Sequence, residues 1–584
     1  MTSLRRTPFV ALLAALFWTV PASAQLATTT ADFDQPGSQP GDLSTPIFSY
    51  NLCTFCHGGY DEAQEPYERW SGTMMANSMR DPVFQAAMTI ANQDLTDVGT
   101  FCLRCHAPGG WVDGRSVPSD GSDLDGTDFE GVSCHVCHRL VDPIPDAANP
   151  FEDTAILAAL AAAPSDSHNG QFVLDPEDRR RGPFDLGAFG FHDWRESPYH
   201  RESLLCSTCH EVSNPAFSRV GGATPAASDT YDLNTLGTEH PTHDKTDQFP
   251  IERTYTEWAL SDFGAGPVEM GGRFGGNKTD VSTCQDCHMP DADGTACQPF
   301  LNGANRTDLP QHNFNGANSW VPRAIYSLDQ SLSLYPSTHV NGQPLEVFEA
   351  VIARNKAMLR AASDLSLSKV GSDVVVRITN QTGHKLPTGY GEGRRMWINV
   401  QFFGPHDTLI AERGHYDYAT ADLTTGDTKV YEILHGLDSA MATLTGLPAG
   451  ESFHFGLNNT IVKDNRIPPR GFDNAAFEAG QAQPVGASYG DGQYWDDTAF
   501  AIPTGASYAI VSVYHQTTSK EYIEFLQSEN TTDSKGDIAH DEWTAAGMSR
   551  PVLMDRRSIS FPPQKSQYKR LGDEPVVDVG SLGG

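Results

Sequence analysis

The period of the hydrophobic positions changes partway along the chain. Before residue 345 the apolar positions are scattered among Gly, Pro, Ser and Asp, and only short stretches keep helical spacing. Residues 82–95, with Pro at the start, and residues 153–163, behind an Asp or Thr cap, predict two helices. Residues 117–126 and 218–235 read as Gly/Ser/Asp-rich loops. Residues 345–362 give the clearest helix: Phe348, Val351, Ile352 and Leu359 fall on one face. After it, β-branched runs alternate with polar residues. Residues 374–378, 396–403, 508–514 and 558–561 predict strands separated by Gly/Asp/Pro turns. The expected fold is α+β: a loop-rich, sparsely helical half, followed by a C-terminal β-sandwich over residues 365–562.

The ends refine this division. Arg5 and Arg6 precede an apolar run and then Pro21-Ala22-Ser23-Ala24, the form of a secretory signal peptide over residues 1–24 cut after Ala24. Residues 25–50 are polar and read as a flexible arm, 51–340 as the first domain, 341–364 as the connecting helix, and 563–584 as a frayed tail. No later stretch is apolar enough to span a bilayer. The formal net charge of −34 argues against nucleic acid or an anionic membrane surface as partner. It is compatible with a plain solvated surface or with steering of a basic partner.

The chemistry lies in the cysteines. Cys-x-x-Cys-His occurs five times, at Cys53-Cys56-His57, Cys102-Cys105-His106, Cys134-Cys137-His138, Cys206-Cys209-His210 and Cys284-Cys287-His288. Composition alone predicts about 0.007 such motifs per chain, so they are not chance. The motif attaches c-type haem: two thiols form thioethers to the porphyrin and the adjacent imidazole ligates iron. Structural zinc uses Cys-x-x-Cys pairs two at a time and needs no His after each. Disulfides leave the histidines unexplained. The expectation is five covalent haem c groups in an exported, periplasmic or extracellular protein. Cys297 is left over and reads as a buried thiol, with an intermolecular disulfide as the alternative.

A low-spin c haem needs a second axial ligand, His or Met. His200 lies shortly before Cys206, His312 follows the last motif, and His243 lies between motifs four and five. His384 stands in a Gly- and Pro-flanked loop, Thr382-Gly383-His384-Lys385-Leu386-Pro387, able to present one imidazole rigidly. Met75 is a possible thioether ligand. His135, inside a motif, is sterically compromised; His168, His406 and His540 read as solvated. Trp70-x-x-Thr73, Trp194-x-x-Ser197 and Trp258-x-x-Ser261 form a faint repeat ahead of haem motifs.

Residues 53–60 (CTFCHGGY), 70–82, 101–111 (FCLRCHAPGGW), 197–215 (SPYHRESLLCSTCHEVSNP), 252–263, 284–290 (CQDCHMP) and 382–397 (TGHKLPTGYGEGRRMW) together resemble the multihaem cytochromes related to cytochrome c554. In such cytochromes a His often follows Trp-x-x-Ser-x; here Met75 and Tyr199 take that place. The resemblance implies periplasmic electron transfer between redox partner proteins. One alternative is a reductase that binds a small nitrogen or sulfur oxyanion at an open haem. All five motifs end in His, not in the Lys that often marks the catalytic haem of multihaem nitrite reductases. The other alternative is an assembly subunit. Fold alone does not choose among these.

Overall fold

The structure, a computed structural model, describes residues 25–187, 191–301, 303–332 and 344–561. The signal peptide, the tail and the ends of the two segments meeting at residues 333–343 lie outside the described residues. The chain is α+β and loop-rich, with several separate sheets.

Each Cys-x-x-Cys-His sits on a short helix that ends at or beside its histidine: Asn51–His57, Gly99–His106, Cys134–Cys137, Leu204–His210 and Cys284–His288. One helical turn brings both thiols and the imidazole to one side of the backbone. The expected helix near residue 82 is Pro82–Asp94, capped by Asp81, whose carboxylate accepts from the Val83 and Phe84 amides. The one near residue 153 is shorter than expected, Asp153–Ala159.

Two features of this half differ from expectation. It contains strands as well as helices. Val212–Val220 pairs with Thr230–Leu233 and Gln248–Glu252, so part of the loop expected at 218–235 is sheet. Pro215 and the Ser/Asn content hid that strand from a propensity reading. Residues 25–50 are also packed and not loose. Leu26 and Phe33 are buried, and the guanidiniums of Arg104 and Arg139 donate to the Pro36 and Thr45 carbonyls.

The C-terminal half is a sandwich of two antiparallel sheets. Ser363–Val370, Asp373–Asn380 and Trp495–Ala501 form one sheet. The other runs Leu409–Arg413, Arg395–Phe403, Tyr508–Gln516, Val552–Ser560. Val374, Val376 and Ile378 face Ile398, Val400, Val511 and Val513 in one buried cluster. Each such side chain contributes about 1.5–3 kcal/mol on burial.

A third element was not evident from the pattern. Helices Lys520–Glu529 and Lys535–Ala545 are inserted before the last strand and pack on Pro82–Asp94. A shared core therefore crosses the halves: Ala86 and Ile90 meet Trp320, Phe348, Trp397 and Tyr522. Asp94 adds a polar link, accepting from His454 Nδ1 at 2.9 Å. Leu345–Ala361, the expected connector, buries Phe348, Val351, Ile352 and Leu359 as its periodicity required.

Candidate haem sites

Each of the five motif histidines makes its contact within the protein through Nδ1, which would leave Nε2 for a haem iron. His57 Nδ1 donates to the Ala296 carbonyl (2.5 Å), His106 to Ser78 (3.1 Å), His138 to Arg181 (2.6 Å) and His288 to Asn315 (2.5 Å). A carbonyl only accepts, so the proton sits on Nδ1 and Nε2 keeps its lone pair, the tautomer a metal ligand needs. Burial lowers the pKa of all four, that of His106 to about 4, so they remain neutral. His210 differs. Its Nδ1 faces the Glu252 carboxylate at 3.6 Å. Burial pulls His210 down, but Glu252 outweighs it and its pKa is raised. A carboxylate in this place makes the imidazole a stronger donor than a carbonyl does.

Thiols of different motifs lie close enough in pairs to shift one another's pKa. Hydrogen bonding to Cys134 holds the Cys53 thiol below its ordinary range, Cys209 does the same for Cys105, and Cys206 for Cys284. Motif one therefore abuts motif three, motif two abuts four, and four abuts five. Those bonds and burial push Cys206 and Cys209 up, and the charge of Cys137 adds to both, which links motif three to motif four. The five motifs form one contiguous, branched array with motif four at the branch.

The distal candidates can be tested against ring spacing. An imidazole nitrogen sits about 2 Å from a metal it binds, so two rings sharing one iron have centroids about 6 Å apart. His138 and His200 are 5.9 Å apart with planes 14° apart. His288 and His384 are 6.4 Å apart at 24°. His312 lies 6.2 Å from His138, but it is pushed down to about 3 by burial and then by both His138 and His57, so it stands between motifs one and three. His200 Nε2 meets the Cys137 carbonyl of motif three at 3.1 Å, while its Nδ1 and that of His312 are buried without a partner.

The loop carrying His384 is rigid. Asn380 Nδ2 donates to the His384 carbonyl (2.7 Å), and the Lys385 amide donates to Glu257 (3.0 Å). Lys385 Nζ and Arg466 both reach Asp464 at 2.7 Å, and Arg466 reaches Glu257 at 3.0 Å. Burial would raise Asp464, yet Arg466 and Lys385 bring it to about 2, so this buried network stays ionised.

Two other candidates lie elsewhere. His243 packs against His240 (6.5 Å) and Glu239 (3.4 Å). Met75 accepts through its carbonyl from Val132 N, in the turn whose Ser78 carbonyl holds His106. His168, expected as solvated, is buried with its Nε2 on the His243 carbonyl at 2.9 Å. His135 stacks on Phe48 and pairs with Asp178. Cys297 is half-buried and unpaired. Sequence reasoning missed Glu252, which carries no motif. The Trp repeat does have a structural meaning: Trp70 and Trp258 donate their indole N–H to Val132 and Ser282, each two residues ahead of a haem motif.

Helix-borne Cys-x-x-Cys-His motifs, tautomer-set histidines and facing imidazoles define a multihaem c-type cytochrome. Residues 52–139 match the family described as cytochrome c554 and c-prime. That segment holds the first three Cys-x-x-Cys-His motifs, and the match supports a multihaem c-type cytochrome related to cytochrome c554. Among solved structures, a penta-haem cytochrome c552 from Thermochromatium tepidum is similar at 16% identity and TM-score 0.47, covering 88% of this chain and 100% of that one. No curated protein matches the chain. Among the described residues, no helix is long and apolar enough to cross a membrane.

Proposed function

We propose that this is a five-haem electron carrier, exported to the periplasm or beyond, that passes electrons between redox partner proteins. The contact of thiols from different motifs carries the reading, because it makes all five attachment points neighbours. When bound, the haems supply one-electron chemistry. Every other task falls to this chain's residues. Cys53, Cys56, Cys102, Cys105, Cys134, Cys137, Cys206, Cys209, Cys284 and Cys287 attach the cofactor. His57, His106, His138, His210 and His288 are the proximal ligands. We assign His200 opposite His138, His384 opposite His288 and His312 opposite His57, and carry neither Met75 nor His243 into these sets. The carbonyls at Ala296, Ser78, Arg181 and Asn315 hold the rings, and Glu252 does so at motif four. Residues 51–340 and 365–562 act as two domains, the second lending His384 to the first.

Intact-mass analysis of the purified protein tests the count. The peptide from Gln25 plus five haems is expected; four or fewer removes at least one motif from the assignment. Oxidised-state optical and magnetic spectra then count low-spin irons, and at least three are expected from the three facing pairs.

A further inference from the structure

We propose that Arg394, His515 and the Tyr390–Tyr522 pair form a buried site for a small oxyanion of the carboxylate or nitrite type, beside motif two. The proposal rests on haem being attached at that motif. Arg394 donates from Nη1 to the Thr388 carbonyl at 2.8 Å, and its Nε is buried with no partner. Among the described residues it makes no ion pair, although a cation half-buried in this way is costly unless an anion meets it. Burial lowers its pKa, and the charges that counter this are Glu252, Asp81 and Tyr390. Both carboxylates are occupied elsewhere. Asp81 accepts from the Val83 and Phe84 amides, while Glu252 faces His210 and accepts from Thr254.

His515 is the second, independent observation. It ends the inward row Ala509, Val511, Val513 on strand Tyr508–Gln516 and is 1% exposed. Neither ring nitrogen has a partner. A buried imidazole with both nitrogens unsatisfied costs several kcal/mol unless a ligand fills the gap. Strand pairing sets His515 against Met396, two residues from Arg394, and Gly393 beside Arg394 abuts the Tyr522 side chain, so the groups gather at one end of the sheet. Burial and then Arg394 push His515 to about 3, so it is neutral. A neutral imidazole offers one N–H donor and one acceptor.

The tyrosines complete the donor set. Tyr390 and Tyr522 hydroxyls lie 2.7 Å apart, so one donates to the other and one further O–H remains to give. Burial, Tyr522 and Glu392 raise Tyr390, and Cys102 adds to this, which places the pair next to motif two. The helix capped by Asp81 also stacks Phe84 on His106 at 3.6 Å. Guanidinium, imidazole N–H and phenol O–H all donate, and a planar O–X–O anion accepts from them. Two sources share that chemistry: a propionate of a bound haem, and a free anion such as nitrite.

The test titrates nitrite into the oxidised, fully haem-loaded protein and reads haem spectra, midpoint potentials and haem mass together. The panel is the wild type, Arg394→Gln, Arg394→Lys, His515→Asn, and Arg377→Gln as an exposed control. A free-anion site is supported if nitrite perturbs one haem in the wild type and the control, and binds about tenfold weaker or worse in Arg394→Gln. A propionate site is supported if nitrite has no effect but Arg394→Gln or His515→Asn shifts one haem's potential at unchanged haem mass, with Arg394→Lys shifting it less. If Arg394→Gln loses a haem or fails to fold, Arg394→Lys and His515→Asn are read in the same way. The proposal is overturned if these variants alter neither nitrite binding nor any potential while all haems are present. A wild type lacking a haem at motif two would instead overturn the five-haem reading.

Discussion

The two halves of the molecule fill their interiors differently. In the sandwich, strands such as Ser363–Val370 alternate buried and exposed positions, and the core is closed by Val, Ile and Leu with Met396, Phe402, Phe500 and Tyr431 among them. In the cytochrome half, the motif helices Asn51–His57 and Cys284–His288 bury no residue at all. The sandwich draws its stability from its own side chains, while on the five-haem reading the other half would add attached haem to clusters such as Met79, Leu103, Trp111 and Phe172. The same half places large guanidiniums, Arg80, Arg104, Arg139 and Arg181, in its interior. There they bind backbone carbonyls and carboxylates that no regular ladder satisfies, for example Arg181 to Asp153 and Asp175.

The largest test of this contrast removes cofactor at the branch point. Cys206→Ala with Cys209→Ala should lower the intact mass by one haem and make residues 51–320 sensitive to protease, while the sandwich stays resistant. If both halves stay protected, the cytochrome half has a sufficient core without that haem. Ile398→Ala is the converse experiment. It should cost about 2–5 kcal/mol in denaturant unfolding of the sandwich, with the haem count unchanged.

A third experiment asks where the halves cooperate. His384→Ala should convert one haem from low to high spin; an unchanged spectrum would remove His384 from the ligand set. Lys385→Met, which breaks the buried network under that loop, should give a partial version of the same change. Smaller still is a pH effect at the Asp94–His454 link. Burial lowers His454, but Asp94 overrides it and its pKa is raised; burial raises Asp94 as well. Groups with raised folded pKa values stabilise most below their unfolded values. This contact should therefore weaken as pH climbs through and above about 6.5, by about 1 kcal/mol. Thermal melts of His454→Leu should show a flatter pH dependence over that window; an identical slope would exclude the pair as its source. The smallest effect compares two kinds of proximal support. Glu252→Gln should move one haem potential positive by tens of mV, since a neutral amide stabilises the oxidised iron less than a carboxylate. Redox titration by spectroscopy reads this, and four unchanged potentials are the internal control.

Much of this was legible in the chain. Cys-x-x-Cys-His is a contiguous motif, so five attachment points needed no tertiary information. Helical spacing in residues 345–362 and period two after residue 370 were enough for the connector and the main strands, because those periods are properties of the local backbone. The inserted helices Lys520–Glu529 and Lys535–Ala545 were not seen, since a β pattern on both sides masked them. What the sequence could not decide was partnership across distance. Along the chain His200 lies beside motif four and His312 beyond motif five, yet the folded chain brings both rings to His138, and His312 to His57 as well. Glu252 beneath His210, and Arg394 beside His515, carry no local signature. Two strands and a loop from separate parts of the chain bring these isolated groups together, which is why no local pattern marks them. Covalent attachment is a local property of the polypeptide and can be read from it. Axial ligation, potential and anion binding are properties of shared space, and only the folded chain creates that space.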